Sequence, residues 1–174
     1  MTVLYLFDLD ETLFEHDPVE HANFPNMGNS EWIKYNSTEL FMKGRPIKGM
    51  IEFYNFIKGH TEEFIQEKYD RVIIMTARDR MDDYDTFISF LGRHNVYGEI
   101  IFAGANYHPK GAPFNKYMSI AKLLKENTDY DVVHLFDDSK ENIEYMLALK
   151  HDFPWVEFYG HHFHKVNTFG KWEH

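Results

Sequence analysis

The residues of this sequence that could carry chemistry follow three short apolar runs. They are carboxylates, hydroxyls and one guanidinium: Asp8, Asp10 and Thr12 after the first run, Thr76 and Arg78 after the second, and Asp137 and Asp138 after the third. Four carboxylates brought together would repel one another strongly unless a cation lay among them. Hard oxygen ligands without a matching His or Cys favour Mg²⁺ over zinc. Such a centre, with a lysine and a hydroxyl beside it, suits a phosphoryl group, whose transfer needs charge neutralisation and in-line positioning.

An alternation of strands and helices would bring these side chains together. The apolar runs predict five buried strands, at residues 3–9, 72–75, 100–103, 132–136 and 156–159. Helical spacing of apolar residues predicts helices at 50–57, 82–94, 113–126 and 143–149. This order is typical of an α/β fold, a Rossmann-like parallel sheet of about five strands flanked by helices. Ligands of such sheets bind at the carboxyl ends of the strands, where the strand order reverses.

Two stretches fit this alternation less simply. Gly59 could end the first helix before an acidic piece at 61–69, and the sequence leaves that point open. The stretch 14–44, of about 31 residues, has no sustained period, and Trp32 and Tyr35 are isolated apolar anchors in it. Long irregular connections are usually functional or disordered. We therefore expect one domain, 1–174, with a small cap inserted after the first strand as a flap over the site.

Composition and charge narrow the class of protein. Apolar residues make up 44% of the 174 residues, which is enough for a substantial core. With 18 basic and 28 acidic residues the formal net charge is -10, which argues against a broad phosphate-tracking surface but not against a local basic pocket. The absence of cysteine excludes disulfides, thiolate metal sites and a cysteine nucleophile. We expect no signal peptide and no membrane span, and hence a cytoplasmic protein.

Three motifs resemble those of the haloacid dehalogenase-like superfamily in its phosphatase form. FDLDETL at 7–13 resembles the first motif, Asp-x-Asp-x-Thr after an apolar strand. MTAR at 75–78 is similar to the second, a strand that ends in Thr or Ser, and FDDSKEN at 136–142 is similar to the fourth, a strand that ends in paired acids. Any one motif alone is weak evidence. The three occur in the order and spacing of the family, and the pattern between them covers nearly the whole chain.

The resemblance implies a role for each matching residue. Asp8 would be the nucleophile that forms an aspartyl-phosphate. Asp10 would protonate the leaving oxygen and then activate water, and its backbone carbonyl would contact Mg²⁺. Thr76 would hydrogen-bond the phosphate. Mg²⁺ would be the cofactor, held by Asp8, by Asp10, by Asp137 directly and by Asp138 directly or through water.

The third motif of the family is a lysine before or within a helix, and two residues are candidates. Lys116 is favoured because it opens a clear amphipathic helix, whereas Lys110 lies in the looser stretch YHPKGAP. Thr12 and Arg78 are further candidates for binding the phosphate. Arg78 could equally bind a nucleobase or pair with a nearby acid.

Two positions depart from the commoner family patterns, and one stretch lies outside them. Glu11 stands where many members have Gly, although members with Glu are also active phosphatases. The fourth motif ends in Asn142 instead of a third acid, which leaves the outer sphere of the metal open. The stretch GHHFH at 160–164, with His174, invites a zinc site, but no Cys, HExxH or suitably spaced acid supports one. We expect histidines on a solvated tail.

The resulting hypothesis is an Mg²⁺-dependent phosphomonoester hydrolase with an open site. The TAR triplet and the compact size of the chain resemble the phosphatase modules of polynucleotide end-healing enzymes, so a nucleotide or a nucleic-acid 3′-phosphate is the favoured substrate. A small-metabolite phosphatase or a phosphotransferase of the same family is the alternative. A dehalogenase is disfavoured because Asp10 is present, and an inert binding module with this fold is disfavoured because no motif residue is degraded.

Overall fold

A five-stranded parallel sheet forms the centre of the fold. The computed structural model describes residues 1–16, 36–63, 70–104 and 111–163, with no side-chain description at 62 and 63. The strands of the sheet are β1 (Val3–Phe7), β4 (Arg71–Thr76), β5 (Glu99–Phe102), β6 (Val132–Asp137) and β7 (Glu157–His162). They lie in the order β5-β4-β1-β6-β7, and all pairs are parallel. After β1 the chain adds β4 and β5 on one side of it and then β6 and β7 on the other side, so the strand order reverses at β1.

Helices cover both faces of the sheet, which is why its central strands read as continuous apolar runs. They are α1 (Thr38–Phe41), α2 (Lys48–Glu63), α3 (Tyr84–Arg93), α4 (Gly111–Glu126) and α5 (Lys140–Ala148), which a 3-10 turn at Leu149–His151 follows. On one face Leu4 and Leu6 of β1 pack in a core with residues of α4 and α5. On the other face Phe7 packs with residues of α2 and α3. No helix in the described ranges combines the length and apolar character of a membrane span.

The expected α/β architecture is confirmed, and the differences lie at the ends of the elements. The helix α2 continues through Gly59 to Glu63, so this glycine does not break it; residues 64–69 lie outside the described part of the chain. The strand β7 extends to His162, so Gly160, His161 and His162 belong to the edge of the sheet and not to a tail. A methyl group at Gly160 would overlap Ile143 of α5, which explains the glycine there.

The two ends of the stretch 14–44 are anchored on the main body of the fold. A short strand β2 (Phe14–Glu15) pairs antiparallel with β3 (Arg45–Pro46). The hydroxyl of Thr38 in α1 donates to the carbonyl of Asp83 (2.8 Å), directly before α3. The ring of Phe41, also in α1, packs edge-on against Phe87 of α3, with centroids 5.0 Å apart. Trp32 and Tyr35 lie outside the described residues.

Candidate active site

The carboxylate of Asp8 lies at the point where the strand order reverses. Asp8 follows β1 directly, and its backbone N–H donates to the carbonyl of Phe136 on β6 (2.9 Å). This bond continues the parallel register of the two strands beyond the end of β1. The register therefore brings Asp8 next to Asp137, although 129 positions separate them in the sequence. Both side chains are buried at the edge where open α/β sheets bind ligands.

The ammonium group of Lys116 lies between these two carboxylates. Its Nζ is 2.8 Å from Oδ1 of Asp8 and 2.7 Å from Oδ2 of Asp137, and the lysine side chain is 1% exposed. Burial alone would lower the pKa of Lys116, but the charges of Asp137 and Asp8 raise it above its ordinary value. The lysine therefore stays charged and holds the Asp8 carboxylate in a fixed orientation. The family resemblance favours Lys116 as the motif lysine, and the other candidate, Lys110, lies outside the described residues.

The carboxylate of Asp137 is oriented by the first turn of α5. The side-chain amide of Asn142 donates to both of its oxygens (2.9 and 3.0 Å), and the backbone N–H of Ser139 donates to Oδ1 (2.9 Å). Ser139 is also the N-cap of α5 and accepts from the backbone N–H of Asn142. The Asn that departs from the commoner motif thus works as a hydrogen-bond donor to the first acid of the pair.

Three carboxylates are close enough together to hold one cation. Oxygens of Asp8, Asp137 and Asp138 lie within 4.8 Å of one another, and no second group of this kind occurs among the described residues. Burial raises the pKa of Asp8 well above its ordinary value, with Lys116 opposing and Asp137 adding to the rise. Burial, with the charge of Asp137, also raises the pKa of Asp138 to about 7. A divalent cation would stabilise the ionised forms, and an all-oxygen donor set fits Mg²⁺.

The second acid of the first motif, Asp10, is bound by Arg78. The Arg78 Nε lies 2.9 Å from Oδ2 and Nη2 lies 2.8 Å from Oδ1, a bidentate pair that is almost fully buried. The guanidinium also lies over the ring of Phe41, 5.0 Å from its centroid. Thr76, at the end of β4, donates to Asp10 Oδ2 at 3.4 Å and accepts from the backbone N–H of Arg78 at 3.1 Å.

Two hydroxyls proposed for phosphate binding, those of Thr76 and Thr12, are buried beside and within the first motif. Thr76 is fully buried beside Asp10, and Thr12 is fully buried with a hydroxyl that has no hydrogen-bond partner in the described part of the chain. Of the roles considered for Arg78, pairing with a nearby acid is the one that the structure displays. The carboxylate of Asp10 is not part of the three-acid group, and a metal contact through its backbone carbonyl stays a prediction.

The sequence offers His16 only as a neighbour of the first motif that could line the pocket, with no spacing that requires it there, and in the structure its ring lies beside Asp10. The turn after β1 closes tightly: the N–H groups of Leu13 and Phe14 both donate to the carbonyl of Leu9 (3.0 Å each). Glu11 takes a left-handed conformation there, with φ of 59°. This path returns the chain over the first motif and buries His16. Its spacing of six residues from Asp10 carries no signal without the turn.

Similarity to solved structures identifies the fold. The HAD domain of effector protein Lem4 from Legionella pneumophila is 16% identical, with a TM-score of 0.56 over 97% of this chain and 88% of that chain. An inactive mutant of that domain matches with a TM-score of 0.57. The chain has a haloacid dehalogenase-like fold. A chain of the Pnkp1/Rnl/Hen1 complex shares this fold at 11% identity, with a TM-score of 0.50 over 94% of this chain and 48% of that chain. Neither a protein-family profile nor a curated relative matches the sequence.

Proposed function

We propose that the protein is an Mg²⁺-dependent phosphomonoester hydrolase that forms an aspartyl-phosphate on Asp8. The observation that supports this best is the ammonium of Lys116 between Asp8 and Asp137, with Asp138 nearby. A carboxylate fixed by a cation on one side and flanked by metal-ligating acids on the other is suited to attack an electrophilic phosphorus. The haloacid dehalogenase-like fold agrees with this chemistry.

The reaction has two steps at phosphorus. An oxygen of Asp8 attacks the phosphorus atom, the bond to the leaving oxygen breaks, and Asp10 gives that oxygen a proton. Water then attacks the phosphorus of the aspartyl-phosphate, Asp10 takes a proton from the water, and the Asp8 carboxylate is regenerated with release of inorganic phosphate. Mg²⁺ held by Asp8, Asp137 and Asp138 would neutralise charge on the phosphoryl oxygens.

The substrate that we propose is a nucleotide or a nucleic-acid end with a 3′-phosphate. The support is the shortness of the stretch 14–44, because a cap of this size would cover less of the site than a large cap would. The formal net charge of -10 opposes binding along a long phosphate backbone, so recognition would be limited to the terminal phosphate and the nearest base. A small phosphorylated metabolite is the alternative substrate.

A phosphomonoester screen tests this proposal. Purified protein would be assayed for phosphate release from an aryl phosphate, sugar phosphates, 3′- and 5′-nucleotides and 3′-phosphorylated oligonucleotides, each with Mg²⁺ and with excess chelator. We expect Mg²⁺-dependent hydrolysis that Asp8→Asn abolishes, with the 3′-phosphorylated substrates among the best. Activity in excess chelator, or activity that survives in Asp8→Asn, would contradict the mechanism. Hydrolysis of sugar phosphates alone would contradict the substrate.

A further inference from the structure

The imidazole of His16 is a buried polar group that the steps above do not use. The residue is 5% exposed, and neither ring nitrogen has a hydrogen-bond partner among the described residues. Buried polar atoms in folded proteins nearly always have a partner, and an exception calls for a reason such as a catalytic role. The inference that follows rests on the proposed function, because it concerns how Asp10 works in that reaction.

The ring of His16 faces the carboxylates of the first motif. Its Nδ1 is 3.5 Å from Oδ1 of Asp10 and 3.5 Å from Oε1 of Glu11. The backbone N–H of His16 donates to the same Glu11 oxygen at 2.7 Å, which holds the end of the turn in place. If the distance between Nδ1 of His16 and Oδ1 of Asp10 became shorter by about half an ångström, the two atoms would be in hydrogen-bond range. The imidazole is therefore close to a carboxylate that already has another partner.

The protein surrounds this ring closely. It packs against Phe41, with centroids 5.2 Å apart. On its other edge lies Gly44, where an added Cβ would be only 2.7 Å from Nε2 of His16. The ring therefore packs closely between the turn after β1 and the end of the stretch 14–44. Small rotations of Asp10, and not large movements of His16, would make the contact.

Arg78 contacts both oxygens of Asp10, so the carboxylate has to turn away from the guanidinium before it can reach a leaving oxygen. We propose that His16 is a positioning residue for Asp10. The carboxylate turns from Arg78 toward the leaving oxygen, and the Nδ1–H of His16 donates to Oδ1 and holds it there. Arg78 and His16 thus flank Asp10 and fix its two working orientations.

Comparing substrates with poor and good leaving groups distinguishes this positioning role from a role in packing alone. His16→Phe keeps a ring against Phe41 but removes the donor, whereas His16→Asn keeps an N–H near the position of Nδ1. We expect His16→Phe to lower kcat for an alkyl phosphate about tenfold more than for an aryl phosphate, since a good leaving group needs little protonation. His16→Asn should recover most of this loss, and His151→Phe, at an exposed histidine, should change neither rate. Equal losses for both substrates, or no recovery by Asn, would overturn the proposal.

A measurement without turnover distinguishes this inference from the proposed function. The ¹⁵N resonances of the His16 ring would be recorded by NMR in the wild-type protein and in Asp10→Asn. We expect the Nδ1 resonance to change in Asp10→Asn while that of His151 does not. An unchanged His16 ring in a protein that hydrolyses phosphomonoesters would overturn the inference alone. A changed ring in a protein that hydrolyses none would support the contact and remove the proposed function.

Discussion

Arg78 and Asp10 form a bidentate ion pair at the edge of the sheet, with the guanidinium 1% exposed and the carboxylate 11% exposed. The residues belong to the loops after β4 and β1, which the sheet register places side by side. The pair holds the Asp10 carboxylate in a defined orientation. It also joins the second motif to the stretch 14–44 through the contact of Arg78 with Phe41.

Replacing Arg78 should lower the stability of the protein more than an ordinary surface change does. Removing one partner of a buried ion pair leaves an uncompensated charge, which typically costs about 3–5 kcal/mol. We expect Arg78→Met to lower the free energy of unfolding by about this amount in urea denaturation, and Arg78→Met with Asp10→Asn to recover part of it. A loss below about 1 kcal/mol for the single variant, or a fully additive double variant, would show that the pair is not coupled.

The role of Asp10 can be tested by comparing the rates for substrates with different leaving groups. Asp10→Asn should slow hydrolysis of an alkyl phosphate by about 10²–10⁴-fold, the usual contribution of a general acid–base group. The loss should be smaller for an aryl phosphate, whose leaving oxygen needs little protonation. Steady-state kinetics with both substrates give the comparison. An equal loss for the two would mean that Asp10 does not transfer the proton.

Lys116 should be required for activity in a way that exposed lysines of the same helix are not. Lys116→Ala removes the only ammonium in the described structure that bridges Asp8 and Asp137, so those carboxylates would repel each other without compensation. We expect a loss of kcat of at least about 10²-fold, comparable to removing one preorganised charge-stabilising group. The matched control is Lys122→Ala, at an exposed position of α4. A larger loss in Lys110→Ala than in Lys116→Ala would place the third motif at residue 110.

The three carboxylates of Asp8, Asp137 and Asp138 should make the stability of the protein depend on pH and on Mg²⁺. The pKa of Asp138 is raised from 3.8 to about 7, so the folded state holds a proton that the unfolded state has already released. The free energy of unfolding should therefore fall as pH rises from about 4 to about 7 in metal-free protein. Mg²⁺ should restore stability at the upper end of this range because it binds the ionised form.

Thermal unfolding with chelator and with Mg²⁺ across this pH range measures both effects. Asp138→Asn removes the titrating group, so the fall in stability between pH 4 and pH 7 should become smaller in that variant. Because the pKa of Asp8 is raised as well, some dependence should remain. A wild-type protein whose stability rises through this range, or does not respond to Mg²⁺, would contradict the metal site.

Parallel strands that are covered on both faces are rich in consecutive apolar residues. This pattern is easy to recognise in a sequence, so the core of this fold was predictable. Leu4, Leu6 and Leu135 are fully buried in the core on one face and Phe7 is fully buried in the core on the other, so β1 and β6 read as largely apolar runs. The edge strand β7 was harder, since its outer residues are exposed and it lacks that apolar run. Its extension through Gly160 to His162 depends on Gly160 fitting against Ile143, a contact that no local pattern encodes.

The same limit applies to the site. The positions of Asp8, Asp137 and Lys116 follow from motifs at the ends of strands and the start of a helix. The pairing of Arg78 with Asp10 joins residues 68 apart in the sequence, and it follows from the register of β1 and β4. His16 depends on the left-handed Glu11 and the tight turn around it. A single sequence gives the residue types, but it does not give these backbone conformations or the register of the strands.

The insertion 14–44 should affect large substrates more than small ones. In a variant with a shortened insertion that keeps β2, α1 and β3, the KM for a 3′-phosphorylated oligonucleotide should change more than kcat for an aryl phosphate. A base that stacks on an aromatic ring of the flap would contribute roughly 1–3 kcal/mol to binding. Trp32→Ala and Tyr35→Ala test the two rings singly. Hydrolysis limited to molecules of the size of a sugar phosphate would show that the insertion closes as a lid.

A covalent phosphate on Asp8 would be detected directly by a rapid-quench experiment. Enzyme would be mixed with a ³²P-labelled phosphomonoester and Mg²⁺, quenched in acid within the first turnover, digested and mapped by mass spectrometry. We predict a transient phosphate on the peptide that contains Asp8, released by hydroxylamine as an acyl phosphate is, and absent from Asp8→Asn. Turnover without any labelled protein, or with the label on another residue, would contradict the account.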